Sequence, residues 1–433
     1  MYKNWDCITN QYVKDKGILA IITFLLSATL LYSTFVYLGY FDFFPDSETL
    51  LQWDARWYNA IKNDGYYFDN ANKSSVAFFP LFPVIWYVTG LDSLGISVIN
   101  TLFFLFSFYF IRRHLFLSYQ EALLFITLPG FYFYLVPYSE ALFFAASTLL
   151  LIGLDRKRYT LVTAGLILAS ATRSISMLFA IALIFTFLIE YLQERQKKIL
   201  FLLGSYLILV LLVTILVFYI HYLYTGEWGV FFRAQKMWNR ELRWPVFPLT
   251  TISGVNMLWM DGLALLVCLL ALVLCIRTFG AYLLNKKIEK ISVSQLFSMA
   301  CLALLGLISI GYSGVWQNGG GTSLISLNRF VFASPFLFFF LRYVLYTPLF
   351  KRKGYIIFLM STALVWTALG AYKPLVGHTT YSQTLLYFCI MTILACLYLL
   401  INKVKEMHYF LALIQLVIGI YLYYLYQNEY WVG

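Results

Sequence analysis

The sequence predicts an all-α, multi-pass membrane protein, and three observations carry that expectation. The 433-residue chain is 61% hydrophobic, 20% aromatic and only 12% charged, more apolar surface than a water-soluble fold can hide. Apolar runs of roughly 17 to 25 residues, each long enough for one helix across the hydrocarbon core, recur from end to end. Lys and Arg collect between alternate runs, at Arg112-Arg113, Asp155 to Arg158, Arg195 to Lys198, Lys286 to Lys290, Lys351 to Lys353 and Lys403 to Lys405, with Lys14 and Lys16 ahead of the first. That alternation is what the positive-inside rule asks of cytoplasmic loops.

Taken in order, the runs predict spans at Ile18–Tyr40, Leu94–Ile111, Glu121–Leu135, Tyr138–Leu154, Tyr159–Arg173 and Ser174–Tyr191. They continue at Ile199–His221, Val255–Ile276, Val293–Gly311, Arg329–Tyr346, Tyr355–Tyr372, Gln383–Asn402 and Tyr409–Tyr426. This makes about thirteen helices, or about 11 to 13 because Tyr159–Arg173 is short enough to form one broken element with its successor. The first run is too long for a signal peptide and lacks a small-residue cleavage site, so it is retained. The amino terminus is expected in the cytoplasm, and the long connections 41–93, 221–254 and 312–328 on the outer face. The net charge of +11 is then a matter of distribution across the membrane and not a nucleic-acid signal. The six cysteines lack metal spacing and the four histidines are scattered, so neither disulfides nor a metal site are expected.

The chemistry is expected in the outer loops. In "QWDARWYNAIKNDGYYF" (Gln52–Phe68), read as a helix, Trp53, Trp57, Ala60 and Ile61 share an apolar face while Arg56, Asn59, Lys62 and Asn63 share the other. Asp54 falls between Ile61 and Tyr58 at the apolar edge. A carboxylate there suits a general base that takes a proton from a hydroxyl, against the plainer reading of a helix cap or a partner for Arg56. The loop is acidic and its helix would lie in the headgroup plane with the tryptophans as anchors. Asp42 and Asp46 are weaker candidates, since "FDFFPDSE" reads as a turn before a helix start.

Four further stretches stand out: Glu140 in "PYSEALFF", Arg173 in "SATRSIS", Arg233, Gln235, Lys236 and Trp238 in "FFRAQKMW", and Arg329 in "NRFVFASP". Ionisable residues at span edges are costly and therefore functional candidates. Glu140 is equally explained as a first-turn carboxylate facing the helix dipole. Arg173 and Arg329 sit at external ends of spans, where they either snorkel to headgroups or clamp a lipid phosphate. Arg233 to Trp238 could supply donors and a sugar stack, or serve as an interfacial anchor. The Gly-rich 311–324 stretch lacks the order of a phosphate-cradling loop and is read as flexible.

In that order, "WDARWYNAIKNDGYYF", "AFFPLFP", "LPGFYFYLVPYSEALFF", "LASATRSIS", "FFRAQKMW" and "LNRFVFASP" resemble the PIG-V family of mannosyltransferases over Asp54 to Pro335. The resemblance implies a GT-C-type integral-membrane glycosyltransferase. It takes a sugar, mannose by analogy, from a polyprenyl-phosphate donor to a hydroxyl of a glycolipid or glycan acceptor on the outer or lumenal face, with inversion. It implies Asp54 as catalytic base, Arg173 and Arg329 at the donor phosphate, and Trp53, Trp57, Tyr58, Glu140, Arg233, Gln235, Lys236 and Trp238 around the substrate. The sequence has "RSIS" where the family has "RSNG", and Phe330 where Tyr is usual. No cofactor is required, and a divalent cation assisting the phosphate is compatible with the acidic loop.

Residues 1–347 are thus read as the catalytic module with its three outer loops, and 348–433 as C-terminal transmembrane helices. A bacterial cytoplasmic membrane is favoured over the endoplasmic reticulum, no retrieval signal being evident. The alternative function is a transporter or flippase of lipid-linked sugars, which would call for internal repeats and matching interrupted spans.

Overall fold

The computed structural model describes residues 5–251, 257–284, 291–314, 321–324, 326–346, 352–371, 380–401, 403–404 and 406–433. The regular secondary structure of the described residues is helical, with two isolated β-bridges besides, Leu242 with Tyr312 and Thr250 with Ser323. The helices are α1 (Trp5–Tyr37), α2 (Asp54–Asp64), α3 (Leu81–Thr89), α4 (Ser93–Leu115), α5 (Tyr119–Ile126), α6 (Glu140–Asp155), α7 (Tyr159–Thr172), α8 (Phe179–Glu194) and α9 (Lys197–Thr225). They continue with α10 (Val230–Met237), α11 (Leu258–Leu283), α12 (Val293–Gly311), α13 (Leu327–Phe332), α14 (Pro335–Tyr346), α15 (Arg352–Ala368), α16 (Tyr381–Leu400) and α17 (Met407–Gln427).

Eight helical segments among the described residues are long and apolar enough to cross a membrane: 17–37, 93–115, 174–194, 197–225, 258–283, 293–311, 381–400 and 407–427. They carry exposed apolar side chains such as Leu30, Phe106, Leu211 and Leu413, a surface that fits lipid and not water. The molecule is a multi-pass helical membrane protein.

Helix starts follow local chemistry. Asp92 caps α4 by accepting from Gly95 N at 2.8 Å, and capping boxes of Ser118 with Glu121, Ser292 with Gln295, and Thr380 with Gln383 open α5, α12 and α16. Each satisfies N–H groups that a helix start leaves without partners.

Two of the expected spans are broken. The run expected at Glu121–Leu135 is α5, a break at Thr127 to Gly130, and a short 3₁₀ turn over Phe131–Tyr134. The run expected at Arg329–Tyr346 is α13 and α14, separated at Ala333-Ser334 with Pro335 opening the second piece. Pro129 and Pro335 account for both, since proline has no amide to continue an incoming helix but fits a first turn. The two breaks meet: a Cβ on Gly130 would lie 2.6 Å from the carbonyl carbon of Phe332, so only glycine permits this approach. The approach sets α13 against the segment that enters α6. Asn100 of α4 fixes that segment, donating from Nδ2 to the carbonyls of Val136 at 2.7 Å and Tyr138 at 2.8 Å. The last helix, α17, returns to pack against α1 and α5, and brings residues 426–433 to the same place.

Candidate active site

At this junction four charged side chains form one chain of contacts. Asp54, the first residue of α2, accepts from Arg329 Nη1 at 2.6 Å through Oδ2. Arg329, in α13, donates from Nε to Glu140 Oε1 at the start of α6. The same Glu140 oxygen pairs with Nη1 of Arg173, which stands at the break between α7 and α8. Arg173 Nη1 also donates to Ser139 Oγ at 3.2 Å, and Ser139 Oγ meets the Tyr58 hydroxyl at 2.7 Å. A buried charge is tolerated only when paired and hydrogen-bonded, and here two carboxylates balance two guanidiniums.

The members differ in reach. The side chains of Arg329 and Glu140 are each 3% exposed, whereas Asp54 is 14% and Arg173 12% exposed. The centre of the ladder is therefore sealed, and its two ends reach the surface. One sealed acceptor is unmet: Glu140 Oε2 is buried and has no hydrogen-bond donor among the described residues. Aromatic faces line the cations, with Arg329 4.3 Å from the Tyr138 ring centroid and Arg173 5.3 Å from that of Phe330, contacts that favour a desolvated guanidinium. Burial pushes the Tyr58 phenol up from its ordinary value, so it stays a neutral hydrogen-bonding group beside the ladder.

The backbone that presents these residues is unusual. Trp53 takes φ 50° and ψ −115° immediately before Asp54, and Ser326 takes φ 60° shortly before Arg329. Such conformations cost non-glycine residues of order 1–3 kcal/mol and concentrate at functional sites. The surrounding chain holds them. Tyr426 donates to the carbonyls of Leu50 at 2.9 Å and Gln52 at 3.1 Å. The Tyr132 hydroxyl and Asn328 Nδ2 both donate to the Val432 carbonyl. Trp431 packs edge-on against Trp53 at 5.1 Å.

The residues singled out in the sequence divide into groups. Asp54, Glu140, Arg173 and Arg329 come together, with Tyr58 one hydrogen bond away. Trp53 does not share a helical face with Trp57, because α2 starts one residue later and its buried face is Ala55, Tyr58 and Ile61. The apolar edge expected around Asp54 is instead an ionic one. Trp57 joins Trp238 at 5.3 Å and Phe78 at 6.0 Å, an aromatic cluster linking α2 to α10, in which Gln235 is buried. Lys236 is exposed. Arg233 turns to Glu227, to Asn70 and onto the Phe68 ring, away from the ladder. Asp46 forms the expected turn, accepting from Glu48 N at 2.9 Å and Thr49 N at 2.8 Å. Asp42 accepts from Tyr424 at 2.6 Å. In the Gly-rich stretch, 315–320 lie outside the described residues.

Sequence reasoning missed Ser139, Tyr138 and Arg240. Arg240 is half-buried in the segment after α10, and the charges of Asp54, Arg329 and Arg173 all act on it. Desolvation lowers its pKa from the ordinary value, and Asp54 opposes that shift. An arginine two residues beyond Trp238 was the available signal.

Comparison with family models, with curated proteins and with solved structures returned no match. The fold and the site thus define a class, a multi-pass helical membrane protein with a sealed ionic ladder that reaches the surface through Asp54 and Arg173.

Proposed function

We propose that this protein is a PIG-V-like, GT-C-type glycosyltransferase of about thirteen spans, working on the outer face of a bacterial cytoplasmic membrane. It moves a sugar, mannose by analogy, from a polyprenyl-phosphate donor to a hydroxyl of a glycolipid or glycan. The observation that supports this best is the ladder itself: a part-exposed carboxylate and part-exposed guanidinium joined through a sealed Arg–Glu pair, in a chain otherwise too apolar to tolerate them.

In the proposed reaction Asp54 accepts the proton of the acceptor hydroxyl. That oxygen attacks the anomeric carbon on the face opposite the phosphate, the carbon–oxygen bond to phosphate breaks, and the polyprenyl phosphate leaves with the electron pair. Arg329 and Glu140 are positioning residues: Arg329 is taken up by two carboxylates and fixes Asp54, so only one oxygen of that carboxylate is engaged by Arg329 Nη1. Fixed charges placed where charge develops lower a barrier without reorganisation.

The test is transfer of labelled sugar from polyprenyl phosphate mannose into a lipid and glycan extract, wild type against Asp54→Asn at matched folding. Asn keeps the shape and loses the base, and the expected loss is ~10²- to 10⁴-fold. Equal rates in both would remove Asp54 as base. Movement of lipid-linked sugar across vesicles, with no glycosidic bond formed, would turn the reading to a transporter.

A further inference from the structure

We infer that Arg240, rather than Arg173 or Arg329, holds the phosphate of the lipid-linked donor; this rests on the glycosyl-transfer reading of the same site. Asp54, Glu140, Arg173 and Arg329 sum to zero, and the contacts within the ladder use both carboxylates. Arg240 adds one positive charge that the site does not balance. Among the described residues no carboxylate lies within ion-pair distance of Arg240, whereas Arg233 in α10 pairs with Glu227 and Arg243, in the same loop as Arg240, pairs with Glu241 at 2.9 Å. Glu241, next in the chain, thus turns to Arg243 and not to Arg240.

The backbone fixes where this free guanidinium stands. On one side Trp238 packs against Trp57 and Phe78, the aromatic floor behind α2. On the other, Leu242 bridges to Tyr312, and Arg243 N donates to the Gly311 carbonyl at 3.0 Å. Between them Asn239 takes φ 55° and Arg240 N donates back to the Gln235 carbonyl at 2.9 Å. The turn thus carries Arg240 between α2 and the end of α12. Asn239 is the left-handed stop of α10, its amide and the next returning to the carbonyls of Lys236 and Gln235, so the place of Arg240 is set by the end of that helix. A guanidinium is built for phosphate, offering parallel N–H donors to two oxygens. One monoanionic sugar–phosphate diester would bring the site to neutrality, and its leaving oxygen would gain charge beside Arg240.

The experiment measures binding of a long-chain polyprenyl monophosphate, and of the uncharged polyprenol, to the full chain in phosphatidylcholine nanodiscs. Wild type is compared with Arg240→Gln, Arg240→Lys and the control Arg243→Gln. Arg240→Gln is expected to weaken monophosphate binding about 10- to 100-fold and to leave polyprenol binding and thermal unfolding unchanged. Arg240→Lys should recover part of the affinity, because the charge remains and the fork does not, and Arg243→Gln should change nothing. Equal monophosphate binding by wild type and Arg240→Gln would overturn the inference. So would loss of selectivity in phosphatidylglycerol nanodiscs, which would make Arg240 a contact for bulk headgroup phosphate. Transfer assays separate this from the functional reading. Arg240-dependent binding without any sugar transfer would overturn the transferase and leave the phosphate site standing, whereas transfer by wild type with an unchanged donor KM in Arg240→Gln would do the reverse.

Discussion

Glu140 and Asp155 occupy the two ends of α6, roughly 22 Å apart at 1.5 Å per residue, and each joins its helix to others through charge. At the Asp155 end both carboxylate oxygens are met. Oδ1 accepts from Ser294 N at 2.9 Å, and Oδ2 from Ser294 Oγ at 2.6 Å and His114 Nε2 at 2.8 Å, so the carboxylate ties α6 and α4 to the start of α12. The left-handed residues at this end, Phe116, Lys157 and Arg195, all follow helices and supply the ordinary stop, their amides or the next ones returning to carbonyls of the last turn.

At the Glu140 end the same ingredients are used differently. Among the described residues one carboxylate oxygen lacks a donor and one guanidinium lacks a carboxylate, and Trp53 and Ser326 precede helices that carry charged residues instead of ending helices. The two ends separate a joint from a site. A joint satisfies its charges locally, while a site retains unmet groups and strained presentation that packing alone does not require.

The Glu140 end is the more sensitive of the two. In Glu140→Gln two buried guanidiniums lose their shared carboxylate, and a buried pair that loses one partner costs about 3–5 kcal/mol. Thermal unfolding in nanodiscs should drop sharply, and sugar transfer should fall below detection even at temperatures where the variant is folded. Unchanged stability would mean that the ladder is not closed in the protein as it works. Asp155→Asn should cost less, about 1–3 kcal/mol for acceptors lost to Ser294 and His114, and the rate per folded molecule should stay at wild type. A transfer defect at matched folding would make the Asp155 end more than a joint.

Much of this was legible in the sequence, and the physical reasons for what was not are instructive. Composition and run length marked the apolar helices, because lipid demands the same pattern at every span. They could not mark continuity: an apolar run reports depth in the membrane, and the breaks around Pro129 and Pro335 lie inside such runs. The charged residues were legible as anomalies, one at a time. Their pairing was not, since Arg329 meets partners 189 and 275 residues away, a separation no local periodicity encodes. Arg240 escaped for the opposite reason. In a loop beside Glu241 and Arg243 it reads as one more solvated charge, and only the fold shows its neighbours engaged with each other.

The smallest effect tests the left-handed residues directly, by placing glycine where the backbone already asks for it. Arg195 ends α8 with φ 55°, and Arg195→Gly should raise stability by about 0.5–1 kcal/mol, read as a modest rise in unfolding temperature with no change in rate. Ser326→Gly relieves the same kind of strain at φ 60° and should also not destabilise the fold. Here, however, the strained turn presents Asn328 and Arg329, and under the proposed function loosening it would let Asp54, the proposed base, drift relative to the sugar and acceptor. Transfer should fall roughly tenfold, since small misplacements of a catalytic group are costly. Ser326→Gly with the rate of wild type would make this turn an ordinary helix start, and the distinction drawn between the two ends of α6 would then rest on the unmet charges alone.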